Sequence, residues 1–462
     1  MSKTSTRTAA RYSTDDPGGP GAAWMLHILT SPDKAIHGVA FPVSVGTTLC
    51  GRSPSGKPDA RLLKFADSAM SRTHLSLVVG AGARELAVSD LESRNGTWLD
   101  GQGITGRRLV GHGSVIRMGG TVGVLEDGAA QFHAFDRPLR GMPGLALEAR
   151  RMRSEMAEAA QTPLPTLVVG PAGTGKERAS TEIAALSRRT GRVIRADIGA
   201  IGPGAMLSEL FGHERNAFAT AFEAKSGRLR DADLGTLVLD DVAEMTPHVQ
   251  EKLLQWLQTG RMRPLGGTVD VIVKVKIIAC TSANLDGRVA AGKFLPELAA
   301  KLQANQVGLV PLARRAADLL VLADASASPP GVASWSLALA PQVVETLALY
   351  NWPGNLIELA RLLQMLRIVT PPVPMDALPP DLVETVRSRV MPRSPAIAAD
   401  TGDTTAPTPR ATELRSLLAR FGGDIDAAAK ALGRDRKHID AWLAIAGISA
   451  DELKPGKDAA AR

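Results

Sequence analysis

Hydrophobic and polar positions divide the chain into regimes of different periodicity. Over residues 24–127, short apolar or alternating runs such as FPVSV and LSLVV are separated by Gly, Asp and Ser turns, which predicts an all-β domain. Over residues 142–310, helical patterns alternate with short buried runs such as TLVVG and VKIIAC, which predicts a parallel α/β sheet. Residues 311–390 are mostly helical in pattern and include the Pro-rich stretch PPVPMDALPP.

The remaining segments are polar or short. Residues 1–23 carry Gly and Pro and lack the apolar segment of a signal peptide, so we expect a disordered lead. Residues 391–410 have the Pro, Thr and Ala content of a linker, and residues 411–454 predict a compact set of helices. No stretch approaches the roughly 18 consecutive apolar residues of a membrane span, so we expect no membrane partner and a cytoplasmic location.

The charge and the cysteine content of the chain exclude few kinds of partner or site. The 462 residues include 54 Lys and Arg against 47 Asp and Glu, and this net charge of +7 permits a nucleic-acid partner without requiring one. The two cysteines, Cys50 and Cys280, lie far apart without metal-ligand spacing. That arrangement disfavours a disulfide framework or a zinc site and fits a reducing cytosol.

Three short motifs at predicted strand ends carry candidate phosphate-binding side chains. They are CGRS at 50–53, SRTH at 71–74 and SRNGTWLDG at 93–101. Arg offers a planar fork of donors, Ser a short hydroxyl, and Asn an amide suited to a peptide backbone. Any one motif alone is an ordinary turn, because Asn-Gly is itself a turn signal. Together, in this order and at this spacing, the motifs resemble the forkhead-associated (FHA) domain over about residues 25–127.

The FHA resemblance implies a β-sandwich that binds phosphothreonine peptides. The phosphopeptide-binding residues that it implies are Arg52, Ser71 and Arg72 at the phosphate and Asn95 at the peptide backbone. It gives His74 a structural role, bracing the loop.

A glycine-rich loop between a predicted strand and a predicted helix has the spacing of a phosphate-binding loop. In GPAGTGKE, the pattern G-x-x-x-x-G-K runs from Gly170 to Lys176, so backbone N–H groups would surround phosphates and the lysine would neutralise them. A second buried run, GTLVLDD, ends in Asp240, which can hold Mg²⁺, and Asp241, which can orient an attacking water. The candidate nucleotide-binding residues are Gly170, Gly173, Thr174, Gly175, Lys176 and Glu177.

These segments resemble the AAA+ domain of sigma-54-dependent transcription activators, the bacterial enhancer-binding proteins, from about Met142 to Ile368. The resemblance is carried by GPAGTGKE, SELFGHE, GTLVLDD, VQEKLLQWLQTGRMRPLGG and YNWPGNLIEL. It implies a nucleotide-binding subdomain at 142–310 with a helical lid at 311–390, ATP and Mg²⁺ as cofactors, and assembly into ring hexamers. It also implies ATP hydrolysis between subunits and a loop that contacts sigma-54 RNA polymerase.

That loop departs from the family pattern GAFTGA, because residues 216–221 read NAFATA. Both glycines and the threonine hydroxyl of the pattern are absent, whereas the aromatic Phe218 is kept. Gly permits backbone torsions that Asn tolerates less well and Thr tolerates poorly, so we expect a weakened grip on sigma-54.

Further departures fall on positions that sense or cleave the γ-phosphate in the family. The acidic pair is Asp-Asp instead of Asp-Glu, and the sensor Asn is Ser282. The two arginine fingers are replaced by Leu295 and Lys301, and the second sensor Arg is replaced by Ile357, which we expect to pack. An arginine finger contributes ~10³–10⁵ in rate, so we expect ATP or ADP binding with weak or absent hydrolysis.

The last predicted helices have a helix-turn-helix pattern. Small apolar residues at 427–432 precede Gly433 and a second helix that Asp435 can cap. The candidate DNA-binding residues are Arg434, Arg436, Lys437 and His438. A plain packing bundle is the alternative, since aspartates dilute the charge. The segment is similar to the Fis-type helix-turn-helix that ends this activator family, which implies DNA binding as a dimer.

The sequence therefore predicts a multidomain chain with an all-β FHA sandwich, an α/β AAA+ P-loop domain with a helical lid, and an all-α helix-turn-helix. The leading hypothesis is a DNA-binding transcriptional regulator that reads a phosphothreonine protein, binds ATP and forms a homo-oligomer, either a dimer or a ring. One alternative is an active sigma-54-dependent ATPase, in which Arg288, Arg314 or Arg315 replaces the missing fingers and Arg315 keeps a contact between subunits. The other is a scaffold that binds a phosphoprotein and a nucleotide without DNA.

Overall fold

The computed structural model describes residues 22–56, 59–82, 85–128, 139, 141–326, 331 and 333–390. The chain divides into two compact units, residues 1–392 and 393–462, and all described residues belong to the first. The predicted linker at 391–410 and the predicted helix-turn-helix at 411–454 lie outside them. The predicted lead is wrong at its end, because Ala22 already belongs to the first strand, where it pairs with Ser44.

The N-terminal region is a β-sandwich, as predicted. Its strands are β1 (Ala22–Thr30), β2 (Ala40–Ser44), β3 (Gly46–Gly51), β4 (Arg61–Lys64), β5 (Leu75–Val79), β6 (Leu86–Asp90), β7 (Thr97–Leu99), β8 (Gln102–Gly103), β9 (Arg107–Val110), β10 (Ser114–Met118) and β11 (Thr121–Asp127). One sheet has the order β2-β1-β11-β10-β7-β8 and the other β4-β3-β5-β6-β9. Side chains such as Leu26, Leu75 and Ile116 fill the space between the two sheets, because alternate residues of each strand point inward.

The predicted parallel α/β sheet is also present. It has the order β13-β14-β17-β12-β18, built from β12 (Thr166–Val169), β13 (Val193–Asp197), β14 (Thr236–Asp240), β17 (Lys276–Thr281) and β18 (Gln306–Gly308), with a separate hairpin of β15 (Arg261–Met262) and β16 (Val271–Ile272). The helices of this region are α1 (Leu147–Gln161), α2 (Lys176–Leu186), α3 (Met206–Phe211), α4 (Arg228–Asp231), α5 (Pro247–Thr259), α6 (Leu285–Ala290) and α7 (Pro296–Gln303).

A buried lysine ties the first of these helices to the sheet. Lys276 Nζ donates to the backbone oxygens of Ala159, Thr162 and Leu164, at 2.7, 2.8 and 2.9 Å, at the C-terminal end of α1. Cations are favourable at this end of a helix, where carbonyl groups lack partners. Burial lowers the pKa of Lys276 to about 8.

The lid is helical, as predicted, and follows the sheet in the chain. Its helices are α8 (Leu319–Ser326), α9 (Trp335–Ala338), α10 (Pro341–Leu349), α11 (Asn355–Leu366) and α12 (Pro380–Val390). None of the described helices is both long enough and apolar enough to cross a membrane.

The lid packs directly on the β-sandwich. Val115 and Val124, on β10 and β11, belong to one continuous hydrophobic core with Val343 and Leu347 of α10. Each of these four side chains is at most 1% exposed. The sandwich and the lid therefore share a core across what the sequence divides into separate domains.

Candidate functional site

The predicted phosphate-binding loop joins β12 to α2. Gly173 and Gly175 have φ of 75° and 101°, in the left-handed region that favours glycine. A Cβ at Gly173 would lie 2.4 Å from the backbone oxygen of Gly354 in the lid, so the close approach of loop and lid requires glycine here. The unpaired N–H groups at the start of α2 adjoin the loop, as anion binding at a helix N-terminus requires.

The loop lysine lies folded over the loop backbone. Lys176 Nζ donates to the backbone oxygens of Gly170, at 2.9 Å, and Pro171, at 3.1 Å. Thr174 Oγ1 donates to the same Pro171 oxygen at 2.9 Å. Burial lowers the pKa of Lys176, and the nearby Asp241 carboxylate acts in the opposite direction. The positive charge is thus held beside the N–H groups that would surround a phosphate.

The start of lid helix α11 donates hydrogen bonds to the backbone of the loop. Asn355 Nδ2 donates to the Ala172 oxygen at 3.0 Å, and the Leu356 N–H donates to the Gly173 oxygen at 3.0 Å. Asn355 is a site residue that the sequence alone does not identify. The only local indication was its position after Gly354 in the WPGN motif, which carries no information about its partner. The lid therefore holds the phosphate-binding loop in its observed shape.

The arginines considered as replacements for the missing fingers lie in three different settings. Arg315 is 2% exposed and its Nη2 donates to the Thr174 oxygen at 3.3 Å, so the expected contact with another subunit is wrong: this arginine is buried against its own loop. Arg288 is paired with Glu244. Arg314 is exposed and has no ion-pair partner among the described residues.

The acidic pair lies at the end of β14, close to the loop. Asp241 is exposed and has φ of 50°, a left-handed conformation that is uncommon outside glycine and that Asp adopts more readily than most residues. Asp240 is half-buried, and its Oδ2 accepts a hydrogen bond from Arg195 Nη1 at 2.6 Å. Sequence reasoning missed Arg195, since nothing local in RVIRAD relates it to a carboxylate 45 residues later.

The residues around Asp240 do not fit a divalent cation as they are arranged. One carboxylate oxygen is already paired with a guanidinium, which would have to leave before a cation could bind there. The predicted role of Asp240 as a Mg²⁺ ligand therefore has no support in the geometry of this site.

Four other positions differ from the sensor and finger residues that the family resemblance implies. Ser282 follows β17 and is exposed, Leu295 precedes α7 and is half-buried, and Lys301 is exposed near the end of α7. Ile357 was expected to pack, and that expectation is wrong, because it is 54% exposed on the first turn of α11. An exposed isoleucine supplies no donor for a phosphate.

The loop at 216–221 forms a tight turn. Asn216 has φ of 65°, a conformation that glycine would adopt easily and that Asn tolerates, and its N–H donates to the Ala221 oxygen at 2.7 Å. The expected strain at Thr220 is absent, because its φ is not positive. Phe218 is 41% exposed, and its ring lies edge-on to His213, with 4.9 Å between centroids.

The predicted phosphopeptide site lies on adjacent loops of the β-sandwich. The Arg52 N–H donates to the Ser71 oxygen and the Ser53 N–H to the Arg72 oxygen, both at 3.0 Å. These bonds hold the two loops side by side, so the exposed side chains of Arg52 and Arg72 belong to one surface. Two arginines beside a serine hydroxyl provide charged and neutral donors for a phosphate.

The remaining residues of this surface are held by side-chain contacts. His74 is fully buried; its Nδ1 accepts the Ser71 N–H at 3.1 Å and its Nε2 donates to the Gly96 oxygen at 3.2 Å. Asn95 is exposed, and its Nδ2 donates to the Ala69 oxygen at 2.7 Å. His74 thus braces the loop that carries Ser71, which is the role that the FHA resemblance implied.

The structure gives no position for the four predicted DNA-binding residues. Arg434, Arg436, Lys437 and His438 lie outside the described residues, so their role stays a prediction.

Two domain families match segments of this chain. The Sigma-54 interaction domain matches residues 144–308, and the FHA domain matches residues 48–119. The Nif-specific regulatory protein of Azotobacter vinelandii is 35% identical over 223 residues, which are 48% of this chain and 43% of that protein. The hydrogenase transcriptional regulatory protein HoxA of Cupriavidus necator is 36% identical over 233 residues, which are 49% of this chain and 47% of that protein.

A solved structure of NtrX from Brucella abortus in complex with ADP is 27% identical and covers 69% of this chain and 72% of that one, with a TM-score of 0.47. The chain spans less than half the length of the two curated relatives above. The two family matches fall on the β-sandwich and on the α/β region, which are the regions that contain the candidate phosphopeptide and nucleotide sites. The chain is therefore similar to the FHA domain over residues 48–119 and to the Sigma-54 interaction domain over residues 144–308.

Proposed function

We propose that this protein is a DNA-binding transcriptional regulator of the sigma-54 activator type that reads phosphothreonine through its FHA domain and binds ATP with little or no hydrolysis. The observation that carries the proposal is a contrast within one site. The phosphate-binding loop is complete, with Lys176 folded over it. The positions expected to supply arginines hold Leu295, Lys301 and Ile357, and none of these has a guanidinium fork.

Nucleotide then serves to stabilise an arrangement of the chain instead of driving mechanical work. The direct bonds between lid and loop provide a route, because a nucleotide on the loop would contact the backbone that Asn355 and Leu356 hold. DNA binding rests on the predicted helix-turn-helix and on the regulatory names of the relatives. We also propose that the chain assembles into a dimer or a ring.

ATP turnover by the purified chain tests the enzymatic part. The protein would be assayed at high concentration, where a ring could assemble, with and without upstream DNA, and nucleotide binding would be measured in parallel by calorimetry. We expect binding of ATP and ADP, loss of both in Lys176→Ala, and phosphate release at the level of that variant. Sustained turnover well above Lys176→Ala would overturn the proposal.

A phosphopeptide titration tests the input. The chain should bind a phosphothreonine peptide and ignore the same peptide without phosphate, and Arg72→Ala should weaken binding about tenfold or more, since charge-assisted bonds are strong. Arg108→Ala, an exposed arginine on β9, is the matched control and should leave affinity unchanged. Equal binding of both peptides would remove phosphothreonine from the proposal.

A second candidate function is an active ATPase that opens sigma-54 promoters. It is favoured by the loop at 216–221, where Asn216 takes a glycine-like conformation and Phe218 stays 41% exposed. Open-complex formation with sigma-54 RNA polymerase distinguishes the two candidates, because only the ATPase would produce it.

A further inference from the structure

The guanidinium of Arg195 lies between the acidic end of β14 and the first turns of α2. Its Nη1 donates to Asp240 Oδ2 at 2.6 Å. Its Nη2 donates to Ser180 Oγ at 2.8 Å and to the backbone oxygen of Glu177 at 3.3 Å. A charge-assisted bond of this length is among the stronger polar contacts in proteins, and the additional bonds fix the orientation of the fork.

The surroundings of Arg195 show that its position is built into the fold. It lies on β13, which runs parallel to β14, so its guanidinium needs only to cross to the neighbouring strand end. Ser180 is fully buried, and the side chains of Arg195 and Asp240 are 33% and 23% exposed. Arg228 Nη1 in turn donates to the Arg195 backbone oxygen at 2.6 Å, so the strand beneath the guanidinium is also held.

The contact changes the charge balance that a nucleotide would meet. Two carboxylates, Asp240 and Asp241, lie close enough to Lys176 to affect its pKa, and without further cations they would outnumber it and repel phosphates. Arg195 supplies a second positive charge, directly beside Asp240. A guanidinium stays charged under all ordinary conditions, so this charge is present without an ion from solution.

Resting on the nucleotide binding proposed above, we propose that this site binds ATP and ADP without a divalent cation, with Arg195 as the permanent counter-cation of Asp240. A cation at Asp240 Oδ2 would have to displace a 2.6 Å charge-assisted bond and leave the guanidinium beside Ser180 without its carboxylate oxygen. Because the site lacks a cation that spans two phosphates, it is suited to holding a nucleotide more than to cleaving it.

Calorimetric titration of the full chain with ATP, once with excess Mg²⁺ and once with excess EDTA, tests the proposal without any substitution. We expect the two affinities to agree within about threefold. Binding that is seen with Mg²⁺ and lost in EDTA overturns the inference while leaving nucleotide binding intact. Absence of binding in both buffers overturns the proposed nucleotide binding itself, and the inference with it, so the two failures are distinguishable.

The variant Arg195→Gln tests the residue. We expect its affinity to fall about tenfold or more in EDTA and to recover when Mg²⁺ is added, because Asp240 is then free to bind the cation. Arg192→Gln, an exposed arginine on the adjoining segment, is the matched control and should behave like the unaltered chain. Equal affinities of Arg195→Gln in the two buffers would overturn the assigned role. If the variant does not fold, the Mg²⁺ and EDTA titrations of the unaltered chain still test the proposal.

Discussion

Arg117 Nε donates to Glu345 Oε2 at 2.5 Å, across the contact between the β-sandwich and lid helix α10. The two side chains are only 13% and 9% exposed, and the Arg117 guanidinium also lies 4.6 Å from the centre of the Trp98 ring. Burial raises the pKa of Glu345, while Arg117 acts in the opposite direction. The β-sandwich is thus joined to the lid by a buried ion pair as well as by a shared apolar core.

Substitution of Glu345 by Ala should destabilise the described unit by about 3–5 kcal/mol, because it leaves Arg117 buried without its partner. The double variant Arg117→Met with Glu345→Leu should recover most of that loss, since an apolar pair replaces a buried ion pair at little cost. Urea unfolding monitored by tryptophan fluorescence gives both values. The exposed pair Arg387 and Glu384, 3.7 Å apart, is the control, and Glu384→Ala should change stability by less than about 1 kcal/mol. A Glu345→Ala effect no larger than this control would mean that the ion pair does not hold the domains together.

The phosphopeptide loop should be sensitive to acid because of His74. In the neutral ring, Nδ1 accepts from Ser71 and Nε2 donates to Gly96. A second proton on Nδ1 would abolish the Ser71 bond. Burial lowers the pKa of His74 below its usual value of 6.5, although the Gly96 hydrogen bond and the charges of Asp90 and Asp67 act in the opposite direction.

The sign of the pH effect follows from proton uptake by His74. Because its pKa is lower in the folded chain, the unfolded chain takes up the proton first as pH falls below about 6.5. The His74 contribution to stability should therefore be constant above that pH and decrease below it, whereas phosphopeptide affinity should fall only at lower pH, where the folded chain itself takes up the proton. Titration from pH 8 to pH 5 measures both, and His74→Gln should flatten the His74 part of the curve. His248→Gln, whose ring is 81% exposed, should leave it unchanged. A curve that His74→Gln does not alter would assign the acid sensitivity to other groups.

Substitution of Gly173 by Ala should weaken nucleotide binding strongly without unfolding the sheet. The new Cβ would lie 2.4 Å from the Gly354 oxygen, and Ala is strained at φ of 75°, so the loop and the lid must separate. We expect at least a tenfold loss of ATP affinity, with faster amide exchange at the start of α11. Gly204→Ala is the control, because its Cβ would meet nothing within 4 Å and its φ is not positive. Unchanged affinity in Gly173→Ala would show that the lid contact does not shape the site.

Motifs within one segment could be predicted from the sequence, whereas contacts between distant segments could not. The loop at 170–177 and the FHA motifs have fixed spacing, so their local shape follows from residue type. Asn355 and its partner Ala172 are 183 residues apart, and no periodicity relates them. The shared core could not be predicted either. The structure buries β11 at six consecutive positions, as is typical of a strand covered on both faces, but Thr121 and Glu126 keep its sequence from being a continuous apolar run.

Restoring the loop to its family pattern, by Asn216→Gly, Ala219→Thr and Thr220→Gly together, should not confer open-complex formation or ATP turnover. Asn216 already holds φ of 65°, so the glycine would add freedom at a position that has the required shape. We propose that activity is limited at Leu295 and Lys301, where an arginine fork would stabilise the charge that develops on phosphate.

The complementary change, Leu295→Arg with Lys301→Arg in the unaltered loop background, should raise phosphate release above the Lys176→Ala baseline, because it restores the fork at both positions. Phosphate release and promoter opening, measured on the two variants side by side, separate the catalytic deficit from the loop deficit. Promoter opening by the loop variant alone would show that the catalytic positions were adequate and that the glycines limit activity. If neither variant gains turnover, the limit lies in the acidic pair, where Asp240 is engaged by Arg195 and Asp241 is one methylene shorter than the family's glutamate.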